Sequence, residues 1–150
     1  MKYSWKFLKE HIKNGRADIV FERSNEVKLA HQKQRDNSKN DYNNPGDYIK
    51  IKYMKWRSFK NANNKLFAVS DSNSVNKIIL KNAFPYNLRK GIQHYNLFSV
   101  IPLNENEIIN YINEYIGKKK EILWFVNYPI NQSIPDLWLS LIHISEPTRQ

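Results

Sequence analysis

Apolar positions recur at helical spacing near the start of the chain. Trp5, Leu8 and Ile12 make one stripe, with Ser4 placed to cap that helix and Gly15 to end it. Residues 17–21 form a brief apolar connection, and Ser24 offers a second N-cap before a helix through about Lys33. Over residues 31–47 the chain is almost wholly polar, Tyr42 being the exception, and Asn43-Asn44-Pro45-Gly46 signals a turn. A solvated helix end and a loop are expected there. Residues 48–56 fit two periods at once. Ile49, Ile51 and Tyr53 alternate as on a strand, whereas Ile49, Tyr53 and Trp56 fit a helix that Asp47 would cap.

The pattern sharpens in the second half. Residues 58–76 read as loop-rich, with a short strand at 66–69, and Ile78-Ile79-Leu80 reads as a buried strand. Phe84-Pro85-Tyr86 breaks that strand, and Gly91 releases the chain into the next one. There His94, Asn96, Phe98 and Val100 share one face, and Tyr95, Leu97, Ser99 and Ile101 the other. Pro102 ends it. A helix over about 104–117 follows, with Asn104 as N-cap and Glu107 completing a capping box. Ile108, Ile109, Ile112, Tyr115 and Ile116 form its apolar stripe, Gly117 its stop, and Lys118 to Lys120 meet the negative end of its dipole. The unbroken apolar run at 122–126 reads as a central strand, and Asn127-Tyr128-Pro129 turns out of it. The fold class expected is α+β: N-terminal helices, then a small, mainly antiparallel sheet with one packed helix.

Composition narrows the class without naming an activity. A chain of 150 residues that is 41% hydrophobic supports a single domain with a core. No apolar run is long enough to span a membrane, the first residues lack a signal core, and there is no cysteine for a disulfide or thiolate site. An intracellular, cytoplasmic location with no membrane partner is the expectation. The formal charge of +10 attracts nucleic acid or another polyanion. The excess is mostly lysine in a chain crowded with Asn and Ile, residues that share A/T-rich codons, so base composition explains it as well.

The last residues read differently. Residues 139–149, L-S-L-I-H-I-S-E-P-T-R, match the translation of a transposase sequencing adapter over eleven consecutive positions. The expected organisation is therefore one domain over 1–138, truncated at its C-terminal end, and a non-native tail over 139–150. His143 is assigned no role. The alternation in Leu-Ser-Leu-Ile-His-Ile mimics a strand, but the chain as given is expected to fold poorly, because loss of the strand beside residues 122–126 exposes an apolar edge.

Several motifs occur together: Trp5 with Leu8 and Ile12, Arg23-Ser24, Asn82-x-Phe84-Pro85-Tyr86, Gly91-Ile92-x-His94, Trp124-Phe125-x-Asn127 and Gln132-Ser133-Ile134-Pro135. In these residues, over about 5–138, the chain resembles the domain-of-unknown-function 3605 family, known from eukaryotes and large DNA viruses. The resemblance implies no established activity. It does imply a His-x-His-Val-Phe strand shortly after the Ser-Ile-Pro segment, where the adapter match begins. The order of elements is also similar to that of histidine-triad proteins, which bind nucleotide phosphates and attack the α-phosphate with a histidine on the last strand. That analogy would put Asn82 and His94 in the pocket and the nucleophile on the missing strand.

The candidate ligand-binding set is Asn82, Tyr86, Arg89, His94 and Asn127. His94 is either structural, bonded to the backbone, or a contact for a phosphate or other ligand. Tyr86 stacks on a ligand or plugs the core, and Arg89 with Lys90 holds an anion or forms a solvated turn. No catalytic residue is assigned: no glycine-rich phosphate loop, Ser-His-Asp set or paired carboxylates stand out. No metal-ligand spacing is present and no cofactor is implied. Two functions are expected: a pocket for a nucleotide or phosphate ester around Asn82 and His94, or a non-catalytic basic module for RNA or an acidic protein partner.

Overall fold

The structure is a computed structural model and describes residues 1–117, 121–127 and 137–145. It opens with helix α1 (Trp5–His11), where Ser4 Oγ accepts from the Phe7 N–H at 3.1 Å. Gly15 does not end this helix. Strands β1 (Ile12–Lys13) and β2 (Arg16–Ala17) pair antiparallel, and Asn14 (φ 54°) with Gly15 (φ 74°) makes the turn between them. Positive φ at both central positions is tight-hairpin chemistry, for which Asn-Gly is the strongest short signal.

Helix α2 (Asn25–Asp41) begins at Ser24 as expected but runs well past Lys33. Its Lys, Gln and Arg residues are good helix formers, and no breaker intervenes before Asn43. The ambiguous stretch after it is helix α3 (Pro45–Lys52), with proline at its first position. Its cap is Asn44, whose Oδ1 accepts the Asp47 N–H at 2.8 Å, so Asp47 is not the cap. Asp47 is buried and its Oδ1 accepts from the Ala68 N–H at 2.9 Å, tying α3 to the next hairpin. That hairpin pairs β3 (Arg57–Lys60), a strand within the stretch read as loop, with β4 (Leu66–Val69).

The principal sheet contains β5 (Lys77–Lys81), β6 (Ile92–Ser99), β7 (Glu121–Val126) and β8 (Trp138–Ser145) in the order β5-β6-β8-β7, each neighbour antiparallel. From β6 the chain crosses through helix α4 (Glu105–Ile116) to β7 and leaves a slot between the two strands, which β8 fills. The expected α+β class is found. The expected central position of residues 122–126 is not: β7 lies at the end of the order. Its apolar character comes from the β1–β2 hairpin covering its outer side, where Val126 N–H donates to the Gly15 carbonyl at 3.0 Å and Trp124 lies over Gly15.

Helix α4 carries the full capping box. Asn104 Oδ1 accepts the Glu107 N–H at 2.9 Å, and Glu107 Oε1 accepts the Asn104 N–H at 3.1 Å. Ile108 and Ile112 are buried against Leu97, Ile142 and Ile144, while Ile109 and Tyr115 lie at the exposed margin of the expected stripe. Gly117 closes the helix at φ 79°. The lysines expected at 118–120, the Tyr128-Pro129 turn and the 132–135 motif lie outside the described residues. No helix among the described residues is long and apolar enough to cross a membrane.

Candidate functional site

Strand alternation sorts the sheet into two faces. One packs on α4. The other presents His94, Asn96 and Phe98 from β6, and the register sets His143, Leu141 and Leu139 of β8 opposite them in that order. Phe125 of β7 pairs with Leu141 on the same face. Phe21, Leu8 and Ile12 close over one end, and Ile49 and Met54 over the other.

Between these two plugs the sheet is not covered by apolar packing. Helix α2 has no buried residue, and it faces the sheet across a cavity through His31, Gln34, Arg35, Ser38 and Lys39. These recur at i, i+3, i+4, i+7 and i+8, so one face of the helix points inward and that face is polar. A cavity of about 700 Å³ remains beneath it, within the usual range of roughly 300–1,000 Å³ for small-molecule sites. Its floor is Asn96, Phe98, Leu139 and Leu141, and Tyr86, Phe21 and Phe125 form one wall.

The lining is cationic. Arg23, Arg35, Lys39, Lys65 and Lys81 contribute to it, and among the described residues no carboxylate does and none of these five is ion-paired. Arg23 is held by its Nε, which donates to the Phe84 carbonyl at 2.6 Å, with the guanidinium 5.6 Å from the Tyr86 ring centre. Burial, only partly opposed by Tyr86, lowers the Arg23 pKa. Burial first, then Arg23 and Arg35, lowers that of His31 to about 4, so this imidazole is neutral at pH 7. Burial pushes Tyr86 up to about 12 against the opposing pull of Arg23 and a hydrogen bond with Asn127. Tyr86 is therefore a neutral phenol.

Three of the five residues anticipated from the sequence, Asn82, Tyr86 and Asn127, meet at this cavity. The turn before β6 positions the first two: Asn82 Oδ1 accepts the Phe84 N–H at 2.8 Å, bending the chain so that Tyr86 returns to the sheet. His94 is not in the lining. It is 3% exposed and stands behind Tyr86, whose backbone N–H donates to its Nδ1 at 3.3 Å, with Asn82 Nδ2 at 3.3 Å from Nε2. Both ring nitrogens thus face N–H groups; a neutral imidazole accepts at one of them, and a doubly protonated ring at neither. Burial, followed by His143 and Arg23, accordingly holds the His94 pKa well below its usual value. Arg89 is exposed on the turn, outside the lining, where its N–H donates to the Tyr3 carbonyl.

The cavity also draws in residues not singled out from the sequence, above all Arg35 and His31. The available signal was their spacing on α2, but a polar stripe looks the same facing a cavity or facing water. Arg23 was legible only as part of the Arg-Ser motif. Among the described residues, no three His, Asp or Glu side chains gather closely enough to hold a metal ion.

The crystal structure of HTC1 is similar in fold, with a TM-score of 0.63 at 19% identity over 97% of this chain and 86% of that one. No curated protein matches the chain. The family described as protein of unknown function (DUF3605) matches residues 4–144, from the cap of α1 through most of β8. By that match, which takes in every element of the sheet and the cavity, the chain belongs to the DUF3605 family.

Proposed function

We propose that the chain binds a nucleotide or another phosphate ester in the cavity beneath α2. The observation that carries this is the charge of the lining: among the described residues it holds five cations, no carboxylate and no ion pair. Cations gathered around a partly buried volume repel one another, and an anion is the partner that relieves them. Arg23 and Arg35 suit phosphate, whose oxygens match a guanidinium fork. Tyr86, Phe21, Asn82, Asn96 and Asn127 also line this volume, so aromatic and amide groups border the place a base would take.

The order of elements supports the analogy with histidine-triad proteins at the level of binding. We read residues 139–150 as adapter-derived, so the cavity-facing positions of β8, Leu139 and Leu141, are occupied by side chains foreign to the site. A native strand in this slot would bring its alternate residues to the same two positions. The chain as it stands has His31 as the imidazole on the lining, and binding is the function assigned to it.

Thermal melting of the full chain with AMP, UMP, GMP, CMP, ATP or inorganic phosphate tests the reading. A ligand at about 100 times its Kd adds roughly 2.7 kcal/mol of stability, a rise of several degrees in Tm. The rise should vanish in Arg23→Ala and Arg35→Ala. No shift with any of these compounds, or a shift unchanged in both variants, would overturn the proposal.

A further inference from the structure

The mouth of the cavity continues onto an aromatic, cationic surface. Tyr42, Tyr48 and Tyr53 all line the cavity and meet edge to face in series, with ring centres 5.1 and 5.9 Å apart. Lys52 Nζ lies 5.2 Å from the Tyr48 ring centre and 5.6 Å from that of Tyr53, which is 37% exposed. The arrangement repeats further along the chain. Lys50 sits over Trp56 at 5.2 Å, and Arg57 over Phe59 at 5.6 Å. Phe59 is 46% exposed and pairs across the hairpin with Phe67.

Acidic side chains are almost absent from this region. From Tyr42 to Val69 the cations are Lys50, Lys52, Lys55, Arg57, Lys60 and Lys65, and the lone acid is Asp47. Asp47 is buried and bonded to the Ala68 N–H, so it does not offset the surface charge. A free mononucleotide would need only the cavity. Rings with a cation beside each continue outside it, Phe59 exposed and Trp56 half-buried, and supply what a strand needs: aromatic surface for bases and charges for successive phosphates.

We infer that the phosphate ester bound in the cavity is the terminal nucleotide of a single-stranded nucleic acid, whose adjoining nucleotides lie on the α3 and β3–β4 surface. The inference rests on the cavity reading and extends it to a polymer. An acidic protein segment fits less well, because it has the charge but lacks a ring for every exposed aromatic.

The test measures fluorescence anisotropy of the full chain with labelled U12 RNA and dT12 DNA, displaced by UMP, and with a glutamate 12-mer of equal charge. The oligonucleotide should bind at least tenfold more tightly than UMP, weakening steeply with salt at a logarithmic slope of about −0.7 per phosphate contacted. The triple variant Lys52→Ala, Arg57→Ala, Phe59→Ala alters exposed side chains only. It should lower oligonucleotide affinity at least tenfold and leave UMP affinity within twofold. UMP binding with no gain for either oligonucleotide overturns the inference and leaves the cavity reading standing. Failure of UMP and oligonucleotides alike overturns the inference, and with a flat thermal-melting series across all six compounds it overturns the cavity reading as well. Equal binding of the glutamate 12-mer, or no effect of the triple variant, also overturns the inference. The relative affinity of U12 and dT12 assigns the strand as RNA or DNA.

Discussion

His94 and His143 face each other across the β6–β8 register with ring centres 4.5 Å apart, and of the two only His94 has hydrogen-bond partners among the described residues. Both nitrogens of His143 are buried without a partner among the described residues, between Phe125, Tyr86 and His94. An unsatisfied buried polar group costs about 1–3 kcal/mol, whereas an apolar side chain in its place can be neutral or stabilising. His143→Leu is therefore expected to raise Tm, at about 2–4 °C per kcal/mol for a chain of this size. A fall in Tm of similar size would mean that the ring has a partner.

The same pair should make stability depend on pH. Burial lowers the pKa of His143 to about 3 and that of His94 well below 6.5. Both rings are therefore neutral in the folded chain while the unfolded chain takes up protons below about pH 6.5. Their contribution is fully present above that pH and is lost as pH falls toward the folded values, at about 1.4 kcal/mol per pH unit for each ring. Denaturant melts between pH 8 and pH 5 should show a flat plateau and then a decline; half-buried His31, also lowered to about 4, adds to it, so His143→Leu removes between about a third and a half. A stability independent of pH down to 5 would contradict the neutral assignment.

Ligand binding should respond to pH in the same range through His31. Its pKa is near 4 because it is buried beside Arg23 and Arg35. An anion placed among these three would favour the imidazolium, so phosphate-ester affinity should increase as pH falls from 8 to 6. His31→Gln should flatten that dependence while leaving the fold intact.

Gly15 is predicted to be intolerant of any side chain. It sits at φ 74°, and an added Cβ would lie 2.6 Å from two ring atoms of Trp124. The left-handed conformation alone costs roughly 1–2 kcal/mol for a non-glycine residue, and the overlap adds a cost of overpacking. Gly15→Ala should lower stability by about 2 kcal/mol or more and loosen the cover on β7. Gly117→Ala, where nothing lies within 4 Å, carries only the backbone part.

Removal of β8 should abolish the fold. It pairs with β6 along Ile92–Ser99 and with β7 along Glu121–Val126, so a chain ending at Trp138 leaves two apolar edges open. Aggregation or loss of a cooperative melt is expected. A soluble 1–138 monomer that melts cooperatively would contradict it. The adapter reading of this strand has its own check: the gene recovered from source DNA should leave the adapter sequence after residue 138 and continue with His-x-His.

Several elements were legible because their chemistry is local. The Asn104–Glu107 box and Gly117 bound α4, and the alternation of β6 sorted His94, Asn96 and Phe98 onto one face before any neighbour was known. The turn at 82–86 likewise pointed to Asn82 and Tyr86. What depends on distant partners was decided only by the tertiary structure. An apolar run records that both faces of β7 are covered, not that a hairpin rather than a second strand covers its outer side. Asn14-Gly15 could be read as a helix stop until β1 and β2 paired around it. The polar face of α2 is the clearest case: hydrophobic periodicity marks where apolar groups avoid water, and it is silent on polar groups that line a cavity. So the sequence by itself determined the starts of α1 and α2, the whole of α4, the faces of β6 and the aromatic turn. Only the fold decided that Arg23, His31 and Arg35 surround one volume, because cations so far apart in sequence meet through packing.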